Sequence, residues 1–346
     1  MNITITKPRI VAFEVTRKCR FNCIHCRAVA SEKADSEYLT TDQCKQILFS
    51  LGRYNKCVVI LTGGEPMERE DIYELIEFGN DVGHRMAMAT CGYSINDDTA
   101  KKLKDCGTLT LSFSLDGSDA NSHDSFRRVA GAFEITLAAI EKSREHGIRF
   151  QINTTVTSRN IGHVPKIAHL AQELGAYCFN PFILVPTGRG AAISDEILDP
   201  AKYEKLLRDL VKIKKEIPID VRVTCGPQFS RIMAQTGSKA FLGKRKSQGC
   251  MAGGEFAFIS YRGDVQTCGF LDISAGNLID NGYNFADIWE NSALLKKIRD
   301  LSLYQGKCGQ CEFVKSCGGC RARAYTMTGD YLASDSICDY QPKLIT

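Results

Sequence analysis

The residues of this chain with the clearest chemistry are three thiols in Cys19-Arg20-Phe21-Asn22-Cys23-Ile24-His25-Cys26, which follow the apolar run Ile10–Val15. A loop of C-x3-C-x2-C spacing at the end of a strand gathers three thiolates around one point. Three thiolates can hold three irons of a four-iron cluster and leave the fourth without a protein ligand, whereas a structural cluster takes four cysteines. An iron left open in this way is free to bind a small molecule. The competing readings are a zinc loop or three buried thiols.

A second group of thiols lies near the end of the chain, at Cys308, Cys311, Cys317, Cys320 and Cys338, with Cys250 and Cys268 before them. Sixteen cysteines could suggest a disulfide scaffold, but such scaffolds are short and secreted, and this chain has 346 residues. Its first residues, MNITITKPRI, form no apolar signal core. A reducing, anaerobic cytoplasm and iron–sulfur clusters are therefore the expectation. Cys44, Cys57, Cys91, Cys106 and Cys178 fall within helical or strand-like patterns and read as small core hydrophobes. No run approaches the roughly 18 apolar residues of a membrane span. A net charge of +4 is too mild to imply nucleic acid, so neither a membrane nor a nucleic acid is an expected partner. That charge suits an anionic substrate if arginines face a pocket.

The elements that must position these thiols alternate along the first part of the chain. Strand patterns fall at Ile10–Val15, Val58–Leu61, Arg85–Ala89, Leu109–Leu115, Phe150–Val156 and Tyr177–Leu184. Helical periodicity occupies 71–82, 97–105, 132–146, 163–174 and 200–216, and a further helix between the first two strands opens on a Thr40/Gln43 capping box. Six βα units predict an α/β fold with a parallel sheet, too few for a closed eight-stranded barrel. An open, partial (β/α)6 barrel follows. Beyond it, Phe256–Ser260 and Val265–Thr267 predict a hairpin, and 285–300 a helix capped by Asn284. The cysteine-rich loops after that cannot bury much core and are expected to depend on metal clusters.

Ligands of a parallel sheet sit at the carboxyl ends of its strands. The second strand ends in Gly63-Gly64-Glu65-Pro66, where glycines admit a ligand close to the backbone and a carboxylate can receive an ammonium group. The fourth ends in Ser112-Phe113-Ser114-Leu115-Asp116-Gly117, and the fifth carries Asn153-Thr154-Thr155, polar side chains suited to a ribose or a carboxylate.

The thiol loop on the first strand and GGEP on the second together resemble the radical S-adenosylmethionine superfamily, over about the first 217 residues. The resemblance implies a [4Fe–4S] cluster on Cys19, Cys23 and Cys26, with S-adenosyl-L-methionine on its open iron and reductive cleavage to a 5′-deoxyadenosyl radical. It also implies that Gly63, Gly64 and Glu65 face the methionyl amine, with Ser114 and Asn153 as further cofactor contacts. His25 departs from the pattern, which usually has an aromatic ring there. Cys250-x12-Gly263-x4-Cys268 and the C-terminal thiols resemble the SPASM extension, whose cysteines bind one or two auxiliary clusters. By that resemblance Cys308, Cys311, Cys317 and Cys338 would hold one cluster. Cys250, Cys268 and Cys320, with Cys225, would hold a second. Two residues separate Cys317 from Cys320 where the extension commonly has three, and a zinc ribbon is the other reading of these pairs. The expected domains are a barrel over 1–217, a linker over 218–249 and a SPASM-type segment over 250–346.

The segments Phe182–Gly190, Cys317–Tyr325 and Thr328–Leu332 resemble the tetrapyrrole-modifying, heme-forming branch of this superfamily. The implied reaction converts two propionates of iron-coproporphyrin III to vinyls, with ferredoxin or flavodoxin as reductant. Arg189, Arg321 and Arg323 lie in those segments, and guanidinium forks suit carboxylates, so they are the expected substrate contacts. The alternatives are a related tetrapyrrole enzyme of the heme d1 or didecarboxysiroheme type, or a ribosomal peptide maturase. Maturases often carry an N-terminal peptide-recognition domain, for which the residues ahead of the first strand leave no room.

Overall fold

A computed structural model describes residues 5–33, 38–237 and 249–343. Six strands pair in parallel in chain order: β1 (Ile10–Thr16), β2 (Val58–Gly63), β3 (Arg85–Thr90), β4 (Thr110–Ser114), β5 (Phe150–Val156) and β6 (Cys178–Ile183). Helices α1 (Thr41–Tyr54), α2 (Ile72–Asp81), α3 (Asp97–Asp105), α4 (Ala120–Arg127), α5 (Ala132–Glu145) and α6 (Val164–Glu173) supply the crossovers. After β6 come α7 (Pro200–Glu216), β7 (Asp220–Val221, parallel to β6) and α8 (Gln228–Gln235).

Strands β8 (Phe256–Ile259) and β9 (Asp264–Gln266) form an antiparallel hairpin, and β10 (Gly276–Asn277) lies beside β9. Four short helices follow: α9 (Phe285–Asn291), α10 (Ala293–Arg299), α11 (Gly306–Gly309) and α12 (Arg321–Thr328). The hairpin joins the barrel, because β8 runs parallel to β1 from Ile10↔Phe256 to Phe13↔Ile259. One ten-stranded sheet results, in the order β10-β9-β8-β1-β2-β3-β4-β5-β6-β7.

Strand alternation makes this sheet hollow on one side. In β5, Phe150, Ile152, Thr154 and Val156 are buried, while Gln151, Asn153 and Thr155 are only half-buried. Phe150, Ile152 and Val156 join Val11, Phe13, Val59, Leu61, Met88 and Phe113 in a core under the helices. The other face carries Ala12, Thr62, Ala89 and Ser114, small or polar side chains that leave space inside the barrel.

All six expected barrel strands are present, as are the capping box at Thr40 and the Asn284 cap, which accepts the Asp287 N–H. The helix expected over 285–300 divides at Ser292, whose backbone is extended at ψ 130. Helix α4 was not legible in ANSHDSFR, which has no apolar stripe. Part of the expected 218–249 linker is structured as β7 and α8. There the buried Arg231 reaches Glu204 of α7 at 2.5 Å, while 238–248 lies outside the described residues. No described helix is long and apolar enough to cross a membrane.

Gly63 and Gly64 are required by close approach of the chain to itself. A Cβ on Gly64 would lie 2.4 Å from the Lys18 carbonyl oxygen, and one on Gly63, at φ +152, would lie 2.0 Å from that of Thr16. Gly64→Ala must push the thiol loop off β2, an overpacking cost of about 1–3 kcal/mol. Urea unfolding should show a lower midpoint at an unchanged slope.

Candidate active site and thiol loops

Cys19, Cys23 and Cys26 pack together with Phe21, Ala28, Ala30, Cys91 and Tyr93 in a small cluster at the end of β1. The loop closes through the Cys19 N–H to Ser31 O (2.8 Å). A strap from the chain after β6 holds it down. Arg189 donates from Nε to Cys23 O (2.9 Å), from Nη1 to Ala30 O (2.7 Å) and from its backbone N–H to Cys26 O (3.0 Å). Gly188 at φ +56 permits this, since a Cβ there would lie 2.3 Å from Arg27 O. Arg189 thus clamps the thiol loop from within, and two of its donors are already committed to carbonyls.

A buried charge pair stands behind Cys23. Arg127 Nη2 lies 2.5 Å from Asp116 Oδ2, and Nη1 donates to Cys23 Sγ at 3.5 Å. Burial would raise the Asp116 carboxyl, yet the Arg127 guanidinium holds it below its ordinary value. His25 packs on Phe126 at 4.7 Å, and burial pushes its pKa down to about 4. It is therefore a neutral ring near pH 7, which suits the position where an aromatic was expected. Cys91, read from the sequence as a core hydrophobe, is buried but hydrogen-bonds the Cys19 thiol and so holds it below its ordinary value. Neither Cys91 nor Arg127 carried a sequence signal; Asp116 sat in the Ser-Leu-Asp-Gly strand end without a role.

Glu65 is fully buried. Its carboxylate accepts from Thr90 Oγ1 (2.8 Å) and the Cys91 N–H (2.7 Å), and its own N–H donates to Lys18 O (2.8 Å). It ties the GGEP turn to the ends of β1 and β3. Ser114 and Asn153 are register partners, and Asn153 pairs on with Asn180 of β6. The Asn180 amide donates to Asn153 Oδ1 (3.3 Å), and Thr224 Oγ1 to Asn180 Oδ1 (3.0 Å). A polar row thus crosses the inside of the barrel; Asn180 and Thr224 extend it beyond the sequence expectation.

The C-terminal thiols fall into two neighbouring sets. Cys308, Cys311, Cys317 and Cys338 line one pocket together with Gly318, Gly319 and Asp335. In the other set, Cys225 and Cys320 hydrogen-bond each other, and Cys250 and Cys268 lie within electrostatic reach of Cys320. The Cys225 hydrogen bond brings Cys320 down to about 7. Asp335 stands between the sets. It accepts the Cys320 N–H (2.8 Å) and donates its own N–H to Cys308 Sγ (3.5 Å).

Arg321 and Arg323, expected to meet substrate, are instead buried and committed here. Arg321 donates to Tyr331 O (3.0 Å), Ala333 O (2.7 Å) and Cys308 Sγ (3.6 Å). Arg323 pairs with Asp335 (3.0 Å) and donates to Leu184 O (3.2 Å) and Cys225 O (2.7 Å). The reason is physical: these short loops have carbonyls without partners, and one guanidinium carries five donors.

Among the described residues, no three His, Cys, Asp or Glu side chains converge tightly enough to hold a single metal ion. Around the first loop, His25 Nδ1, Arg127 Nε and Arg189 Nη2 are buried with no hydrogen-bond partner. Three thiols ringed by such atoms fit a larger polar group.

Residues 13–171 match the Radical SAM superfamily, and 250–321 match the SPASM iron–sulfur cluster-binding domain. AdoMet-dependent heme synthase of Methanosarcina barkeri is 42% identical over 97% of each chain. AdoMet-dependent heme synthase of Nitratidesulfovibrio vulgaris is 40% identical over 98% of this chain and 94% of its own. The chain belongs to the radical SAM superfamily. Its fold is also that of Streptococcus suis SuiB bound to S-adenosylmethionine, with TM-score 0.77 at 18% identity over 97% of this chain and 78% of that one. This radical SAM protein is an enzyme, and its cofactors are [4Fe–4S] clusters and S-adenosyl-L-methionine.

Removing one partner of a buried ion pair leaves an uncompensated charge, at a cost of about 3–5 kcal/mol. Arg323→Met should therefore lower the urea midpoint of the radical SAM enzyme strongly at neutral pH. Arg323→Met combined with Asp335→Asn should recover part of that loss.

Proposed function

We propose that this enzyme is an AdoMet-dependent heme synthase that converts two propionates of iron-coproporphyrin III to vinyl groups. The observation that carries the reading is the likeness to two such synthases along nearly the whole chain, through both thiol-bearing halves. A relative named Fe-coproporphyrin III synthase, 29% identical over 96% of this chain, supports a porphyrin substrate.

Cys19, Cys23 and Cys26 would hold the radical cluster, Cys308, Cys311, Cys317 and Cys338 one auxiliary cluster, and Cys225, Cys250, Cys268 and Cys320 a second. When bound, the first supplies a 5′-deoxyadenosyl radical from S-adenosyl-L-methionine, and the others one-electron exchange. Each vinyl formed removes from a propionate one hydrogen atom, one carbon dioxide and one electron. A ferredoxin or flavodoxin of a reducing cytoplasm is the reductant we assign.

The chain's own residues prepare this site. The Arg189 strap fixes the thiol loop. The polar row Ser114–Asn153–Asn180 offers hydrogen bonds inside the barrel, on the side where a cofactor's ribose or carboxylate would lie. Arg127 places a fixed positive charge at Cys23.

The test is anaerobic incubation of reconstituted enzyme with iron-coproporphyrin III, S-adenosyl-L-methionine and a reductant. The expected product carries two vinyls, with two carbon dioxide and two 5′-deoxyadenosine released per heme. An enzyme that cleaves S-adenosyl-L-methionine but leaves the porphyrin mass unchanged would overturn the reading.

A second expectation concerns Arg127. Removing a cation beside a thiolate ligand disfavours the added electron, so Arg127→Met should lower the potential of the S-adenosyl-L-methionine-responsive cluster. The expected drop is on the order of 60 mV, the one-electron equivalent of a tenfold change. An EPR-monitored redox titration would measure it, with the other clusters as internal reference.

A further inference from the structure

A cavity of about 230 Å³ lies between the first thiol loop and the β8–β9 hairpin. Arg17, Arg27 and Arg262 line it, together with the aromatic rings of Phe258, Tyr261 and Phe270. Arg27 immediately follows Cys26. The opposite wall begins at Gly269, which immediately follows Cys268. The cavity is thus bordered on one side by the loop of the radical thiols and on the other by a loop of the second C-terminal set.

Its charges are arranged around one buried carboxylate. Glu14, on β1 and fully buried, meets Arg27 Nη2 at 2.8 Å and Arg17 Nε at 3.5 Å. The Arg27 guanidinium lies 4.6 Å from the Phe258 ring centre, and those of Arg17 and Arg262 lie 4.3 and 5.0 Å from that of Tyr261. Two other acids also line the cavity. Asp264 turns into its own hairpin, accepting from Ser260 (3.0 Å), Ser274 (3.2 Å) and Asn277 (3.2 Å). Asp272 is exposed and accepts from Gln266 (2.8 Å).

Val29, also in the lining, is 52% exposed and held at φ +51. A β-branched residue in the left-handed region is strained and persists only where its surroundings impose it, as at ligand-binding walls. Guanidiniums stacked on aromatic faces offer a carboxylate a fixed fork and a flat ring an apolar wall.

We infer that Arg17, Arg27 and Arg262 form a carboxylate-binding rim that receives the propionate-bearing edge of the porphyrin between the two thiol regions. The inference rests on the heme-synthase reading and assigns the substrate's carboxylates to residues outside the segments that suggested it. A cavity of this size takes one edge of a macrocycle, with the remainder of the disc lying toward the barrel interior. Arg17 Nε and Glu14 Oε2, buried here without hydrogen-bond partners, are the atoms a bound edge would reorganise.

The experiment measures binding of iron-coproporphyrin III, and of its tetramethyl ester, to reconstituted enzyme without reductant. The proteins compared are the parent, Arg17→Gln, Arg262→Gln and the charge-balanced double variant Arg27→Gln/Glu14→Gln. Iron content equal to the parent's serves as the folding control. At least one variant should bind the tetra-acid about 30-fold more weakly, the effect of losing one buried guanidinium–carboxylate contact. The ester should bind the parent weakly and be indifferent to the substitutions. If the parent decarboxylates the porphyrin while all folded variants bind it as the parent does, this inference alone is overturned. If the parent binds acid and ester equally, carboxylate recognition at this rim is refuted. If the parent neither binds nor converts the porphyrin, the heme-synthase reading falls and the rim falls with it.

Discussion

A loop that aims several thiols at one point cannot also satisfy its own carbonyls, and that constraint shapes this molecule more than any other. A buried carbonyl without a donor costs free energy that a small domain cannot spare. The chain answers with guanidiniums. Arg189 serves Cys23 and Ala30, Arg321 serves Tyr331 and Ala333, and Arg323 serves Leu184 and Cys225. Each ties a thiol-bearing loop to another part of the chain. Arg323 joins α12 to the end of β6 and to Cys225, with Asp335 as its counter-charge.

The second organising fact is that the C-terminal hairpin continues the barrel sheet. Because β8 hydrogen-bonds β1, the strand that delivers the first thiol loop also anchors the segment carrying Cys250 and Cys268. The two chemistries are therefore fixed relative to each other by backbone pairing. The inner face of the same sheet is left open by small and polar residues, and the arginine-lined cavity lies where this opening meets the hairpin. A substrate that gives a hydrogen atom to one side and an electron to the other needs such a place.

Much of this was legible in the sequence, and what was not follows a pattern. Apolar alternation marks strands such as Phe150–Val156 because one face is buried and the other is not. The Thr40/Gln43 box marks a helix start because its partners lie three residues apart. Thiol spacing was equally local, and the structure brings Cys19, Cys23 and Cys26 together and separates the later thiols into the two expected sets. What could not be read were contacts between distant segments. Arg189, Arg321 and Arg323 looked like carboxylate receptors because their chemistry permits it, but carbonyls 10 to 166 residues away claim them. The edge chosen by β8, the hydrogen bond from Cys91 to Cys19 and the Arg127–Cys23 contact are of the same kind. Gly63 and Gly64 were read as letting a ligand approach the backbone, and the structure adds a second demand for glycine there, the close approach of the Thr16 and Lys18 backbone.

If the later thiols form two complete sets, Cys225, at φ +58 and outside every spacing motif, is the member that completes the second. Iron and acid-labile sulfide per chain, measured after anaerobic reconstitution, test this most directly. About twelve irons are expected, four for each thiol set, and about four fewer in a Cys225→Ala/Cys320→Ala variant that still cleaves S-adenosyl-L-methionine. A parent holding about eight irons, unchanged by that double substitution, would contradict it.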